Sequence, residues 1–201
     1  MRESAFAERI RRALATPAPA SSDLDLTPGT RPAPARRLRP AGVVIPIQQQ
    51  AALPQVIMTR RSPTLRHHPG QIAFPGGKVD RHDSGPVQAA LREAAEEIGL
   101  PRERLEILGT LGEHDTVTGF RVTPVVVHVE PDFEPVAEAG EVAEIFRVPL
   151  AHLLDLARYR VESRRWRGQR RRYYVLPYGP HYIWGATARM LHALAERIRG
   201  A

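Results

Sequence analysis

A glycine turn feeding a glycine-terminated helix constrains this chain more than any other stretch. It begins Phe74-Pro75-Gly76-Gly77-Lys78, crosses a short polar run, and ends Leu91-Arg92-Glu93-Ala94-Ala95-Glu96-Glu97-Ile98-Gly99-Leu100. Asp83 or Ser84 is suited to cap the helix, and Pro86 to its first turn, where a missing N–H costs nothing. Val87, Ala90, Leu91, Ala94, Ala95 and Ile98 recur at helical spacing and form one apolar face. Gly99 stands just past the end, where a left-handed residue is wanted. Glu93, Glu96 and Glu97, spaced i, i+3, i+4, project from the opposite side as one cluster. Close-set hard oxygens suit Mg2+ or Mn2+, which take one or two carboxylates with waters and phosphate oxygens. An acidic run on a helix is also commonly a solvated face with a cationic neighbour such as Arg92. The paired glycines weigh toward the metal. They bring backbone close to the acidic face and leave a carbonyl free to serve as a ligand.

The same residues carry a resemblance. Gly77, five residues, Asp83, and then Arg92-Glu93-Ala94-Ala95-Glu96-Glu97-Ile98-Gly99-Leu100 resembles the Nudix box. That box runs Gly, five residues, Glu, seven residues, Arg-Glu-apolar-any-Glu-Glu-any-Gly-apolar. Two departures, Asp83 in place of the first Glu and eight residues between it and Arg92, are similar to the coenzyme A pyrophosphatase branch. A second signature resembles the same branch: Met58-Thr59, Arg61-Ser62, Arg66, Gly70-Gln71 and Phe74-Pro75-Gly76-Gly77. The resemblance implies an α/β fold, the Nudix α/β/α sandwich, in which a mixed β-sheet lies between helices and the box forms a loop-helix-loop. It implies metal-dependent cleavage of coenzyme A or its derivatives to 4′-phosphopantetheine and adenosine 3′,5′-bisphosphate, with Mg2+ or Mn2+ as cofactor. Carried over residue by residue, the expected metal ligands are Glu96 and Glu97, the Gly76 carbonyl, and Glu93. Glu93, Glu97 and Arg92 are the expected catalytic residues. Glu93 serves as ligand or general base, and Arg92 orients it while pairing with Asp83. Arg61, Arg66, Gly77 and Lys78 are expected at the substrate, and Glu141 is an additional candidate. Glu97→Gln is then expected to cut turnover by orders of magnitude and leave the melting temperature nearly unchanged. The alternatives are another nucleoside diphosphate derivative, such as ADP-ribose or a damaged nucleotide, and an RNA-binding or decapping role.

At 201 residues, 42% hydrophobic and 25% charged, the chain suits one domain with a proper core. The expected division is a helix and Pro/Ala-rich arm over 1–39 and the catalytic domain over 40–201. Without cysteine there is no disulfide, thiolate metal site or cysteine nucleophile. No apolar run is long enough to cross a bilayer, and the N-terminus lacks a signal-peptide core, so a cytoplasmic placement is the default expectation. The net charge is +7, and Lys78 is the only lysine. Arginine favours bidentate contact with phosphate, which suits the phosphates of coenzyme A. Nucleic acid would suit such a charge too, but ranks below a small-molecule substrate as partner.

In chain order, Phe6, Ile10 and Leu14 recur every fourth residue and predict a short amphipathic helix over 1–15. It is expected to pack on the domain or on a second subunit, which would make a homodimer. Residues 16–40 read as an extended arm. Val43–Ile47 and Gln55–Thr59 predict neighbouring strands with a turn over 50–54. His67 and His68 tempt a zinc reading, but adjacent histidines usually point apart and no further ligand has the spacing. Strands are expected over 105–113 and 121–130, with the 112–119 link overhanging the site. A further strand ends at Pro149, and Glu138, Glu141 or Glu144 could add a ligand or base. Arg158 to Tyr178 predicts a β-hairpin turning at Gly168-Gln169. Its aromatics are expected toward the core and its arginines toward water, ahead of a nucleotide-gathering rim or a nucleic-acid stripe. Ile183, Met190, Leu191, Leu194 and Ile198 are expected on a closing helix.

Overall fold

Alternation of side chains along the central strands sorts the core into two layers. A computed structural model describes residues 5–27, 38–50, 53–166 and 168–200. The first half contains α1 (Ala5–Leu14), β1 (Ser21–Ser22), β2 (Arg39–Gln50), β3 (Leu53–Arg61), β4 (Ile72–Ala73), β5 (Gly76–Lys78) and α2 (Pro86–Ile98). The second contains β6 (Leu105–Thr110), β7 (His114–Asp115), β8 (Phe120–Val129), β9 (Val142–Pro149) and α3 (Leu150–Leu154). The chain then forms β10 (Arg160–Trp166), β11 (Gln169–Tyr178), β12 (His181–Trp184) and α4 (Gly185–Arg199). The main sheet runs β1-β7-β8-β2-β3-β4, with β5 joining β2, β6 joining β8 and β9 joining β3. Its β2–β8 and β1–β7 pairs are parallel and the rest antiparallel, so the sheet is mixed.

Val44, Val125, Val127 and Val129 share one face with Ala90, Ala94 and Ile98 of α2. Ile45, Ile47 and Val126 face the other way, onto Ile10 and Leu14 of α1, Leu153 of α3 and Leu191 and Leu194 of α4. Strands covered on both faces read as the near-continuous apolar run Val43–Ile47. The expected α/β/α sandwich is this arrangement. The N-terminal helix buries Ala7, Ile10, Ala13 and Leu14 in the same core as the sheet, and Arg9 donates to the Ile198 carbonyl at 3.1 Å.

Several expectations change with the tertiary structure. Part of the 16–40 arm is a strand: Ser21 and Ser22 pair in parallel with His114 and Asp115. Arg39 and Pro40 of the arm begin β2, and residues 28–37 lie outside the described residues, as do positions 51 and 52 of the predicted turn. Within the 112–119 link, His114 and Asp115 join the sheet as β7, and His114 is fully buried between the Ser21 hydroxyl, 2.9 Å away, and Asp23, 3.0 Å away. The arginine-rich hairpin forms, with Trp166 opposite Gln169, so its turn lies one residue earlier than predicted. It gains a third strand, β12, which takes Ile183 out of the closing helix. Leu176 pairs with Ile183 there, and both are fully buried.

Candidate active site

The helix α2 ends as its sequence dictates and starts differently. Gly99 adopts φ 65°, and the N–H groups of Gly99 and Leu100 return to the Ala95 and Ala94 carbonyls at 3.1 and 3.2 Å. The bond from Gly99 to the carbonyl four residues back is an αL closure, which needs a residue free to enter the left-handed region. At the other end Pro86 is the first helical residue, so the cap position falls to Gly85, and neither Asp83 nor Ser84 caps. Asp83 is held instead by Arg92, whose Nε and Nη2 donate to its two oxygens at 3.2 and 3.1 Å. That pairing holds the Asp83 carboxyl below the usual range, and the hydrogen bond from Arg92 is the main cause. The helix start sits directly on β2: a Cβ at Gly42 would overlap the Pro86 carbonyl and press on the Ala90 methyl. Gly42 is opposite Gly77 in the β2–β5 ladder, so glycines on neighbouring strands let turn and helix close together.

Around this frame three carboxylates converge. Glu93, Glu97 and Glu141 each present an oxygen within 4.8 Å of the others. Glu97 is 3% exposed, and its Oε2 accepts from the Gly76 N–H at 3.3 Å. Burial pushes its carboxyl up to about 7, against the pull of Arg61 and Gly76, with Glu93 and Glu141 adding to the rise. Glu93 lies beneath the turn, where a Cβ on Gly77 would run into its carboxylate. Burial raises Glu93 as well, while Arg92 draws it down and Glu96 and Glu141 oppose its charge.

Glu141 reaches this group because its loop hangs from the helix end. Val136 and Glu138 donate to the Ile98 and Glu97 carbonyls, each at 3.0 Å, satisfying groups that α2 leaves open. The Glu138 carboxylate then holds the Glu141 N–H at 2.8 Å, and the Glu141 carbonyl takes the Ser62 N–H at 2.8 Å. On the neighbouring strand, pairing with β9 slips between Arg60 and Arg61. Such a bulge re-aims a side chain, and Arg61 Nη1 stands 3.7 Å from Glu97 Oε1. Both sides of the Arg61 peptide are clasped: its N–H reaches the Gln71 carbonyl at 2.9 Å, and its carbonyl accepts from Gly70 at 3.2 Å. Oxygen donors packed this closely, two with raised carboxyls, fit a hard divalent cation.

The family model for the NUDIX domain matches residues 37–167, well over half of the chain. The chain belongs to the Nudix family. Similar relatives include proteins named Uncharacterized Nudix hydrolase NudL. That of Klebsiella pneumoniae subsp. pneumoniae is 43% identical over 171 residues, 84% of this chain and 88% of its own. That of Photorhabdus laumondii is 41% identical over 172 residues, covering 84% and 91%. Among solved structures, a MutT/nudix family protein from Enterococcus faecalis gives a TM-score of 0.53 at 14% identity, covering 85% of this chain and 66% of that one. A MutT protein from Methanosarcina mazei gives 0.50 at 19% identity, covering 81% and 93%. These two likenesses concern the Nudix fold alone. Nudix hydrolases act on nucleoside diphosphate derivatives and generally use divalent ions such as Mg2+ or Mn2+.

The remaining Nudix-box residues divide between the carboxylate group and its support. Arg92 is the hub: besides Asp83 it reaches Glu93 and Glu96, each at 3.0 Å, and the Lys78 carbonyl at 3.2 Å. Glu96, expected among the ligands, is exposed, held by Arg92, and outside the convergent group. The i, i+4 step from Arg92 explains this, since it lays Glu96 along the helix surface. Gly76 bears on the site through its N–H. Lys78 and Arg66 are exposed. His67 and His68 are exposed, and His68 Nδ1 lies 3.1 Å from the Gln71 side chain. Glu144 pairs with Arg60 at 2.9 Å and His181 at 3.0 Å, clamping β12 to the site-bearing strands. Sequence reasoning missed Gly42 and His181. A lone glycine in an apolar run is the one signal that marks Gly42. Among the described residues, no helix is long and apolar enough to cross a membrane.

Proposed function

We propose that this Nudix hydrolase cleaves the diphosphate of coenzyme A or a derivative, releasing 4′-phosphopantetheine and adenosine 3′,5′-bisphosphate. One observation carries the reading. The residues resembling the coenzyme A branch, Arg61-Ser62 and Gly70-Gln71, form one clasp whose arginine lies 3.7 Å from Glu97 of the Nudix box. Signature and box therefore meet at a single place, where a guanidinium can take a phosphate that the carboxylates alone would repel.

In this reading Glu93, Glu97 and Glu141 hold Mg2+ or Mn2+, with the Gly76 carbonyl as a further ligand, and Glu96 joins by exchanging Arg92 for the cation. When bound, such a cation lowers the pKa of adjacent water and neutralises phosphate charge. The chain's own residues do the rest. Arg61, with Arg66 and Lys78, binds the diphosphate oxygens, while Gly77 lets the chain approach them closely. Arg92 fixes Glu93. Water attacks one phosphorus, and its proton passes to Glu93 in the alternative where Glu93 serves as general base and not as ligand. The bridging P–O bond breaks, and the departing phosphate keeps the electron pair.

Incubation of coenzyme A with the protein and Mg2+ or Mn2+, followed by chromatography of the products, tests this. The two named products are expected in equal amounts. Intact coenzyme A beside rapid cleavage of ADP-ribose would reject the substrate and keep the family chemistry.

A further inference from the structure

The arm β10–β11 aligns like charges across its ladder. Arg164 stands opposite Arg171 and Arg165 opposite Arg170, with Arg172 opposite Ser163. Directly opposed like charges destabilise a strand pair. Glu162 is the only acidic residue from Arg158 to Tyr178, and the Tyr182 hydroxyl already donates to it at 2.7 Å. The Arg165–Arg170 pair is exposed, and an anion that lies along it relieves it. Ser163, Arg164, Arg165, Gly168 and Arg170 border a shallow, open depression near the tip.

The register also places rings beside these cations. Tyr174 turns inward and stacks on His192 of α4, centroids 4.2 Å apart. Tyr173, Trp184 and Tyr182 lie on the opposite face together with Arg164. The Tyr173 and Trp184 rings meet at 5.3 Å and 66°, and the Arg164 guanidinium stands 5.6 Å from the Trp184 ring centre. Tyr182 is 44% exposed.

We propose that the sheet β10–β12 is a second binding surface, for single-stranded nucleic acid, using none of the residues of the carboxylate site. Guanidiniums on both faces of the arm meet the phosphates, and unpaired bases stack on the exposed Tyr182 ring and the half-buried Tyr173 and Trp184 rings beside it. Duplexes hide their base faces, so the rings favour a single strand. A lipid surface would need a continuous apolar layer. The exposed large apolar side chains of this sheet, Val161 and Tyr182, lie on opposite faces.

Fluorescence anisotropy of the full chain with a labelled oligouridylate of about 20 nucleotides, across a salt series, tests the proposal. Wild-type protein is expected to bind with an affinity that falls steeply with salt. Replacing Arg164, Arg165, Arg170 and Arg172 by Gln together should flatten the slope of log K against log salt by about 3, at roughly 0.7 per lost phosphate contact. Tyr182→Ala should weaken binding at least about fivefold with that slope kept. Glu97→Gln should bind as wild type does, which separates this surface from hydrolysis. Absence of binding at low salt, an unchanged slope in the fourfold variant, or full affinity in Tyr182→Ala overturns the proposal. So does binding of anionic phospholipid vesicles in place of the oligonucleotide. If the fourfold variant does not fold, Arg165→Glu at its exposed position reads the same slope, and no change there is equally fatal.

Discussion

Glu97→Gln should end turnover and, in metal-free protein, raise stability at alkaline pH. The side chain is 3% exposed, and burial lifts its carboxyl from 4.5 to about 7. The folded state therefore binds this proton more tightly than the unfolded chain does. Below pH 4.5 both states hold the proton and the group is neutral in effect. As pH climbs from 4.5 to about 7 the unfolded chain releases it first, and folding stability falls. Above pH 7 the full penalty, on the order of 3 kcal/mol, is in force. Glutamine keeps the shape and an acceptor for the Gly76 N–H but carries no charge. Its buried amide N–H takes back about 1 kcal/mol. The net gain is about 2 kcal/mol at pH 8, or roughly 4–8 °C in Tm for a chain of this size. Calorimetric melts in chelator at pH 4, 6 and 8 read the difference. The amide cost alone should leave the variant about 1 kcal/mol less stable at pH 4, and the difference should reverse in sign and grow as the pH rises to 8. A variant less stable than wild type at pH 8, or a gain independent of pH, would refute the reasoning. The expectation of an unchanged Tm treats Glu97 as a surface carboxylate; its burial is what revises that figure.

Gly42→Ala puts a methyl into the Pro86 carbonyl and should cost about 2 kcal/mol, read as a Tm lower by about 4–8 °C. Glu141→Gln should weaken Mn2+ binding at least about tenfold in titration calorimetry while leaving the Tm near wild type, because the residue is exposed. Equal affinity would remove it from the proposed ligand set. Dephospho-coenzyme A should be a poorer substrate than coenzyme A if arginines read the 3′-phosphate, and equal kcat/KM values would reject that contact.

The parts of the site that were readable one residue at a time are those governed by local geometry. Gly99 closes α2 because only a flexible residue enters the left-handed region cheaply; the Arg92–Asp83 pair is what the resemblance to the box implied. The β2 and β3 strands announce themselves by apolar runs. The hairpin was visible in its alternation, but not which face its rings would take, since that depends on α4 lying under Tyr174 and not under Tyr173. Helix spacing grouped Glu96 with Glu93 and Glu97; in the assembled protein Glu96 pairs with Arg92, and Glu141, from a loop more than forty residues further along, lies beside the other two.

The sequence by itself determined a capped amphipathic helix, a glycine turn before it, acidic side chains at one register, and buried strands. All of these rest on periodicities and conformational preferences that span a few residues. Tertiary structure alone decided which carboxylates converge. The open carbonyls at the end of α2 had to find donors, and the loop that supplied them brought Glu141 along. The same closure buried Glu97 beside Arg61, which sets its charge. Backbone hydrogen bonds between distant segments, not the spacing along any one of them, fixed those distances.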